Sequence, residues 1–239
     1  FPDSIMNFDN FSSQMSLKND ELNIDKLKLT YNGLLVQMDS TIVKNIYKTV
    51  IQNKNEQLFV DTRIKLGDII YDDFKHFMEY ETSGEETATA TESTEPQNWT
   101  FLIHGKASVN SVLVDSTIIE GYKINRLHLN DISTLFKLTD STYIFDQFKF
   151  KAFEGEMNNS IHYKIKEDGT QSVSTHNIIK GMNIRTLLRD FDNFAMDSLI
   201  SYQNISGLFS TDLNTFVPIE DSVLIDKICV SGELTLEDG

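Results

Sequence analysis

Few residues in this sequence could do chemistry, and their spacing is poor for it. The 11 glycines fall at positions 33, 67, 84, 105, 121, 155, 169, 181, 207, 232 and 239, and the closest two are seven apart. A G-x-G-x-x-G turn and a Walker-type loop both need glycines closer together, so neither phosphate cradle can form. The five histidines (His76, His104, His128, His162 and His176) are never nearer than 14 residues, and Cys229 is the sole cysteine. No zinc-ligand spacing exists, and an intrachain disulfide is impossible. A G-x-S-x-G nucleophile elbow and an Asp-x-Asp-x-Asp-Gly calcium loop are both missing. Paired carboxylates do occur, at Asp72/Asp73 and Asp190/Asp192. Such pairs can serve as acid and base on a glycosidic bond. With 36 Asp+Glu in the chain, however, they read as solubilising charge. A sugar-binding surface would also need stacked aromatics, and Trp99 is the only tryptophan. His104 and His128 sit in alternating stretches, where they read as outward polar residues of strands. The expectation from these residues is therefore no catalytic, metal or cofactor site.

Charge narrows the partners. Against those 36 acids stand 21 Lys+Arg, a net charge of −15 in 239 residues. Nucleic acid and anionic membrane surfaces both demand a basic patch, which such a chain lacks. No apolar run exceeds three residues, whereas a membrane-spanning helix needs about 20. Hydrophobic residues make up 40%, enough for a sizeable apolar surface.

The elements that position these residues alternate with a period of two. Phe101, Ile103, Gly105, Ala107 and Val109 alternate with Leu102, His104, Lys106 and Ser108. Phe136/Leu138, Tyr143/Phe145 and Phe148/Phe150 repeat the pattern, as do Leu27/Leu29/Tyr31, Leu58/Val60/Thr62/Ile64/Leu66, Ile161/Tyr163/Ile165 and the stretch from Cys229 to Leu236. Alternation places one set of side chains on one face of a pleated strand. Asn32-Gly33, Asp140-Ser141, Asp168-Gly169 and Asp238-Gly239 have the chemistry of tight turns, because Asn, Asp and Gly tolerate positive φ. Many short strands joined by such turns predict a mainly β fold built on a large antiparallel sheet. The apolar phase slips between Ile124 and Leu127, which predicts a bulge near Asn125-Arg126.

One or two short amphipathic helices interrupt the strands. Asn183 reads as an N-cap for a helix near 184–198 bearing Ile184, Leu187, Leu188, Phe191 and Phe194 on one side. The stretch 41–50 fits a helix or a strand equally, since it is rich in β-branched residues. Residues 79–98 are acidic and rich in Glu and Thr, with no Lys or Arg, and read as a mobile loop. They divide a first β-rich unit, 1–78, from a second, 99–239.

Residues 134–157 (TLFKLTDSTYIFDQFKFKAFEGEM) run strand, Asp140-Ser141 turn, strand, then Ala152-Phe153-Glu154-Gly155-Glu156-Met157. This order resembles a signature of the AsmA-like family, where a D-G-type turn between two strands leads to A-F-G-G-x-(V/M). Ser141 stands where the turn glycine is usual, and Glu154 replaces the first of the paired glycines while Gly155 remains. Residues 179–194 (IKGMNIRTLLRDFDNF) resemble the helix-bearing segment that follows in the family. Residues 205–213 (ISGLFSTDL) and 230–239 (VSGELTLEDG) resemble its closing strands. The likeness covers 97–239 well and 20–78 more loosely.

The resemblance implies that this sheet is large, curved and antiparallel, with an apolar β-groove, and that the chain is a non-enzymatic module of the cell envelope of a two-membrane bacterium, taking part in outer-membrane biogenesis and in phospholipid movement along that groove. It also implies a periplasmic location, an inner-membrane anchor outside this chain, and a longer protein continuing past the turn at Asp238-Gly239. The expected ligand is phospholipid or another acyl lipid, and the expected partner is the rest of the same longer chain. One alternating set gives the candidate lining: Phe101, Ile103, Phe136, Leu138, Tyr143, Phe145, Phe148 and Phe150. The alternative is a structural or protein-interaction β-module whose apolar set closes into a core with no lipid.

Overall fold

The structure is a computed structural model that describes residues 8–31, 33–72, 98–119, 122–195, 201–220 and 223–237. It is mainly β, with eleven strands among those residues. These are β1 (Phe8–Lys18), β2 (Glu21–Tyr31), β3 (Leu34–Lys44), β4 (Gln57–Ile70), β5 (Thr100–Ile119), β6 (Tyr122–Thr139), β7 (Thr142–Ala152), β8 (Gly155–Ile165), β9 (Gln171–Asn183), β10 (Leu208–Ile219) and β11 (Cys229–Glu237). All belong to one sheet whose spatial order is the sequence order, and the sheet does not close. The segments 1–78 and 99–239 thus share a single sheet, with β4 hydrogen-bonded to β5. Most of the acidic stretch 79–98 lies outside the described residues.

Turn chemistry sets most of the topology. Asn32-Gly33 joins β2 to β3, Asp140-Ser141 joins β6 to β7, and Asp168-Gly169 joins β8 to β9. Gly33 and Gly169 both sit at φ +83, which a tight hairpin demands. In the last of these turns the Asp168 carboxylate accepts from the Thr170 hydroxyl at 2.7 Å and from its N–H at 2.9 Å. The turn at Asp238-Gly239 falls outside the described residues.

One expectation needs correction. The sheet is mixed, not wholly antiparallel, because β4 and β5 pair in parallel. A hairpin turn reverses the chain, whereas a connection of a dozen residues or more lets the next strand run either way. The connection between Ile70 and Thr100 has that length.

The apolar phase slips in several strands by one shared device. In β3 it passes from Met38 to Thr41, in β5 from Val114 to Thr117, in β6 from Leu129 to Ile132, in β7 from Phe145 to Phe148, and in β9 from Ile179 to Met182. Each gap holds one left-handed residue: Ser40 (φ 51), Ser116 (φ 43), Asp131 (φ 54), Gln147 (φ 50) and Gly181 (φ 59). A left-handed residue in a strand makes a bulge, which bends and twists the sheet while returning the apolar side chains to the same face. The slip from Ile124 to Leu127 belongs to this set. Its left-handed residue is Ser116 on the partner strand, and the pairs Val114–Leu127 and Thr117–Ile124 keep register across it.

Helical structure is brief. Asn183 caps α1 (Ile184–Asp190), accepting from the N–H groups of Arg185 and Thr186 at 3.0 and 3.2 Å. The helix ends short of the expected limit near 198, because Asp192, Asn193, Phe194 and Ala195 all adopt positive φ. In 41–50 both readings apply in part: the strand runs to Lys44, and a single helical turn follows at Tyr47–Ile51.

Among the described residues most of the buried apolar side chains gather at one end. α1 and the turn after it pack on β6 and β9, across the strands and away from the edge strands β1 and β11. Val114, Ile124, Met182 and Leu188 are buried there. Asn125 donates to the Arg189 carbonyl at 2.8 Å, and Phe191 stacks on Phe194 with ring centroids 5.0 Å apart.

Candidate functional site

Cross-strand register divides the sheet into an apolar and a polar face. On the apolar face one row crosses seven strands through Val60, Ile103, Leu138, Tyr143, Tyr163, Val173 and Val217. The next row is Gly105, Phe136, Phe145, Ile161, Thr175, Thr215 and Val230. Further along come Phe148, Asn159, Asn177 and Leu213, then Phe150, Met157, Ile179, Thr211 and Leu234. The rings of Tyr143 and Tyr163 stack at 5.5 Å, and those of Phe148 and Phe150 lie 5.4 Å apart.

All eight sequence-predicted lining residues lie on this face. Phe101 is the β5 partner of Leu58, and Ile103, Phe136, Leu138, Tyr143 and Phe145 fill the two rows above. Phe148 and Phe150 rejoin them through the Gln147 bulge. Each is half-buried. Among the described residues the buried apolar side chains number six (Val114, Ile124, Ile132, Ala152, Met182 and Leu188), and none is a predicted lining residue. No second layer packs on the rows from β4 to β10 within the described part of the chain.

The polar face carries ion pairs between neighbouring strands. His104 lies 3.6 Å from Asp61, His162 3.0 Å from Asp146, and His176 2.7 Å from Asp212. Lys151 bonds Asp131 at 2.8 Å, and that carboxylate holds the ammonium above its usual range, first by the hydrogen bond and then by its charge. Glu21 is held below the usual carboxyl range, first by the amide of Asn23 and then by Lys44 at 3.2 Å. Such exposed pairs are screened by solvent and add little stability, and they chiefly keep this face wet. Asp190 pairs with Arg189 and Asp192 with Lys123, so this acid pair is engaged structurally. Hollows also open on the polar side, one of about 830 Å³ beside Asp61, Arg63, Lys65, His104 and Lys106. Its charges are interleaved in sign and do not converge on one ligand. No group of three or more His, Cys, Asp or Glu among the described residues is placed to hold a metal ion.

Sequence reasoning missed two atoms on the apolar face. Asn159 Oδ1 and Thr211 Oγ1 are buried, in residues only 8% and 7% exposed, and have no hydrogen-bond partner. A buried unpaired polar atom costs about 1–3 kcal/mol. The available signal was the alternation itself, which puts Asn159 between Met157 and Ile161, and Thr211 between Phe209 and Leu213.

No protein-family model, curated protein or solved structure matches the chain.

Proposed function

We propose that this chain is a lipid-handling module of the cell envelope whose apolar face holds acyl chains. The observation that carries the reading is the sheet from β4 to β10, apolar on one side and uncovered among the described residues. Burying a methylene is worth about 0.8 kcal/mol. A chain lying on an open face hides about half of its surface, so a long acyl chain gains roughly 6 kcal/mol before association costs. Contact of this strength holds a lipid without trapping it, and it needs no catalytic group. The polar face, with its ladder of His–Asp and Lys–Asp pairs, keeps the sheet soluble. The resemblance of 134–157 and 179–194 to AsmA-like segments supports placement in the periplasm, with phospholipid as the natural cargo and membrane contact through segments outside this chain.

The test is native mass spectrometry with lipid extraction on protein purified without detergent. The expected result is bound acyl lipid in the wild type, loss in Phe148→Asp, and retention in Lys149→Asp on the opposite face. A folded Phe148→Asp protein that binds as much lipid as wild type overturns the reading.

The edge strands favour a second reading, a protein-interaction module. Every residue of β11 is exposed, and Leu17 of β1 and Leu234 and Leu236 of β11 are left bare at the two edges. An uncovered edge presents free backbone donors and acceptors to another strand. Under this reading the apolar face is covered by protein, and the wild-type spectrum is free of lipid.

A further inference from the structure

We infer that the apolar face contains a hydrogen-bonding station centred on Asn159 that selects acyl amphiphiles bearing a hydroxyl donor. The inference rests on the lipid reading above and specifies its ligand. Asn159 pairs directly with Asn177 across β8 and β9, and Thr175 and Thr211 flank Asn177 on the same face. With Thr215, the β10 partner of Thr175, these residues form a polar island, with Phe150 and Met157 on one side and Ile161 and Tyr163 on the other.

The Asn159 carbonyl has no donor. Asn177 spends an amide N–H on the Thr175 hydroxyl at 2.7 Å. Asn159 Oδ1 is buried and accepts nothing. The glycerol esters of a diacyl lipid bring only acceptors, which cannot satisfy a carbonyl oxygen. A hydroxyl on the ligand can. Phe148, the half-buried neighbour of Asn159 on β7, stands between the island and the aromatic patch around Phe150. A rotamer change of Phe148 on an open face exposes Oδ1 to the ligand and lets the acyl chain run over the patch.

The experiment compares two probes of equal chain length, cetyl alcohol and methyl palmitate, by displacement of a fluorescent acyl probe from the whole chain. Wild type is expected to bind the alcohol about tenfold more tightly, the worth of one well-made hydrogen bond to a buried acceptor. Asn159→Leu should bring the two probes to equal affinity and raise the melting temperature, because an orphaned acceptor has been removed. The isosteric Thr211→Val should narrow the preference and keeps the test readable if Asn159→Leu fails to fold. Equal binding of both probes by the wild type overturns the station and leaves the lipid reading standing. Binding of neither probe overturns the lipid reading and the station with it. A preference that survives Asn159→Leu also overturns the station.

Discussion

The hydroxyls of Thr41 and Thr62 lie 2.7 Å apart, buried between β3 and β4 on the apolar face. Each is the other's partner in a place that water does not reach. Thr41→Val or Thr62→Val alone orphans one hydroxyl and should cost about 1–3 kcal/mol, seen as a melting-temperature loss of about 2–4 °C per kcal/mol. The double variant removes both polar groups and should recover most of that loss. Additive losses in a denaturant-melt double-mutant cycle would show that the two hydroxyls do not act as a pair.

Gly105 sits at the one parallel pairing, opposite Thr62. A Cβ there would collide with the Thr62 carbonyl, which is backbone and can yield only by parting β4 from β5. Gly105→Ala should cost about 2–3 kcal/mol by overpacking. Gly67→Ala would meet Leu35 Cβ at 3.1 Å, a side-chain contact that a small shift relieves, and should cost less than about 1 kcal/mol. Equal losses for the two variants would mean that the close approach of β4 to β5 is not what requires Gly105.

Gln147 tests the bulges. It holds φ 50 and is exposed, so its conformation rather than its contacts decides what it tolerates. Gln147→Gly should stabilise by about 0.5–1 kcal/mol, whereas the β-branched Gln147→Val should destabilise by about 1–2 kcal/mol. The reverse order in chemical denaturation would place Gln147 in ordinary extended backbone. It would also break the link by which Phe148 and Phe150 share a face with Phe145.

Acid should act visibly at the β8–β9 turn. The Thr170 hydroxyl and then its N–H hold the Asp168 carboxyl below 3.8. A depressed carboxyl stabilises the turn above its unfolded value, and that contribution is lost as pH falls through the folded value. The Thr170 amide resonance should therefore titrate with a midpoint under 3.8, and Asp168→Asn should abolish the titration. A midpoint at or above 3.8 would show that these bonds do not favour the carboxylate.

Local pattern carried much of this molecule. Alternation such as Phe136/Leu138 and Tyr143/Phe145 states which side chains share a face of one strand, because the pleat has a period of two whatever surrounds it. The turns at Asp140-Ser141 and Asp168-Gly169 and the cap at Asn183 were legible because their hydrogen bonds close within a few residues. A mainly β fold of strands joined by tight turns follows from these alone.

What tertiary structure decided depends on partners far apart in sequence. The direction of β5 beside β4 is set across a long connection with no turn signal, so the antiparallel expectation failed there. The end of α1 is set by left-handed backbone at 192–195, which the apolar spacing of Phe191 and Phe194 does not reveal. That all eight candidate residues share one face across β5, β6 and β7 depends on the bulge at Gln147, which brings Phe148 and Phe150 back into phase with Tyr143 and Phe145. Whether such a face is a closed core or an open surface cannot be written in any single strand. It is a matter of what packs above it, and among the described residues α1 and the turn after it pack over one end. The unpaired oxygen of Asn159 belongs to the same class, since a hydrogen bond is missing only once every neighbour has been placed.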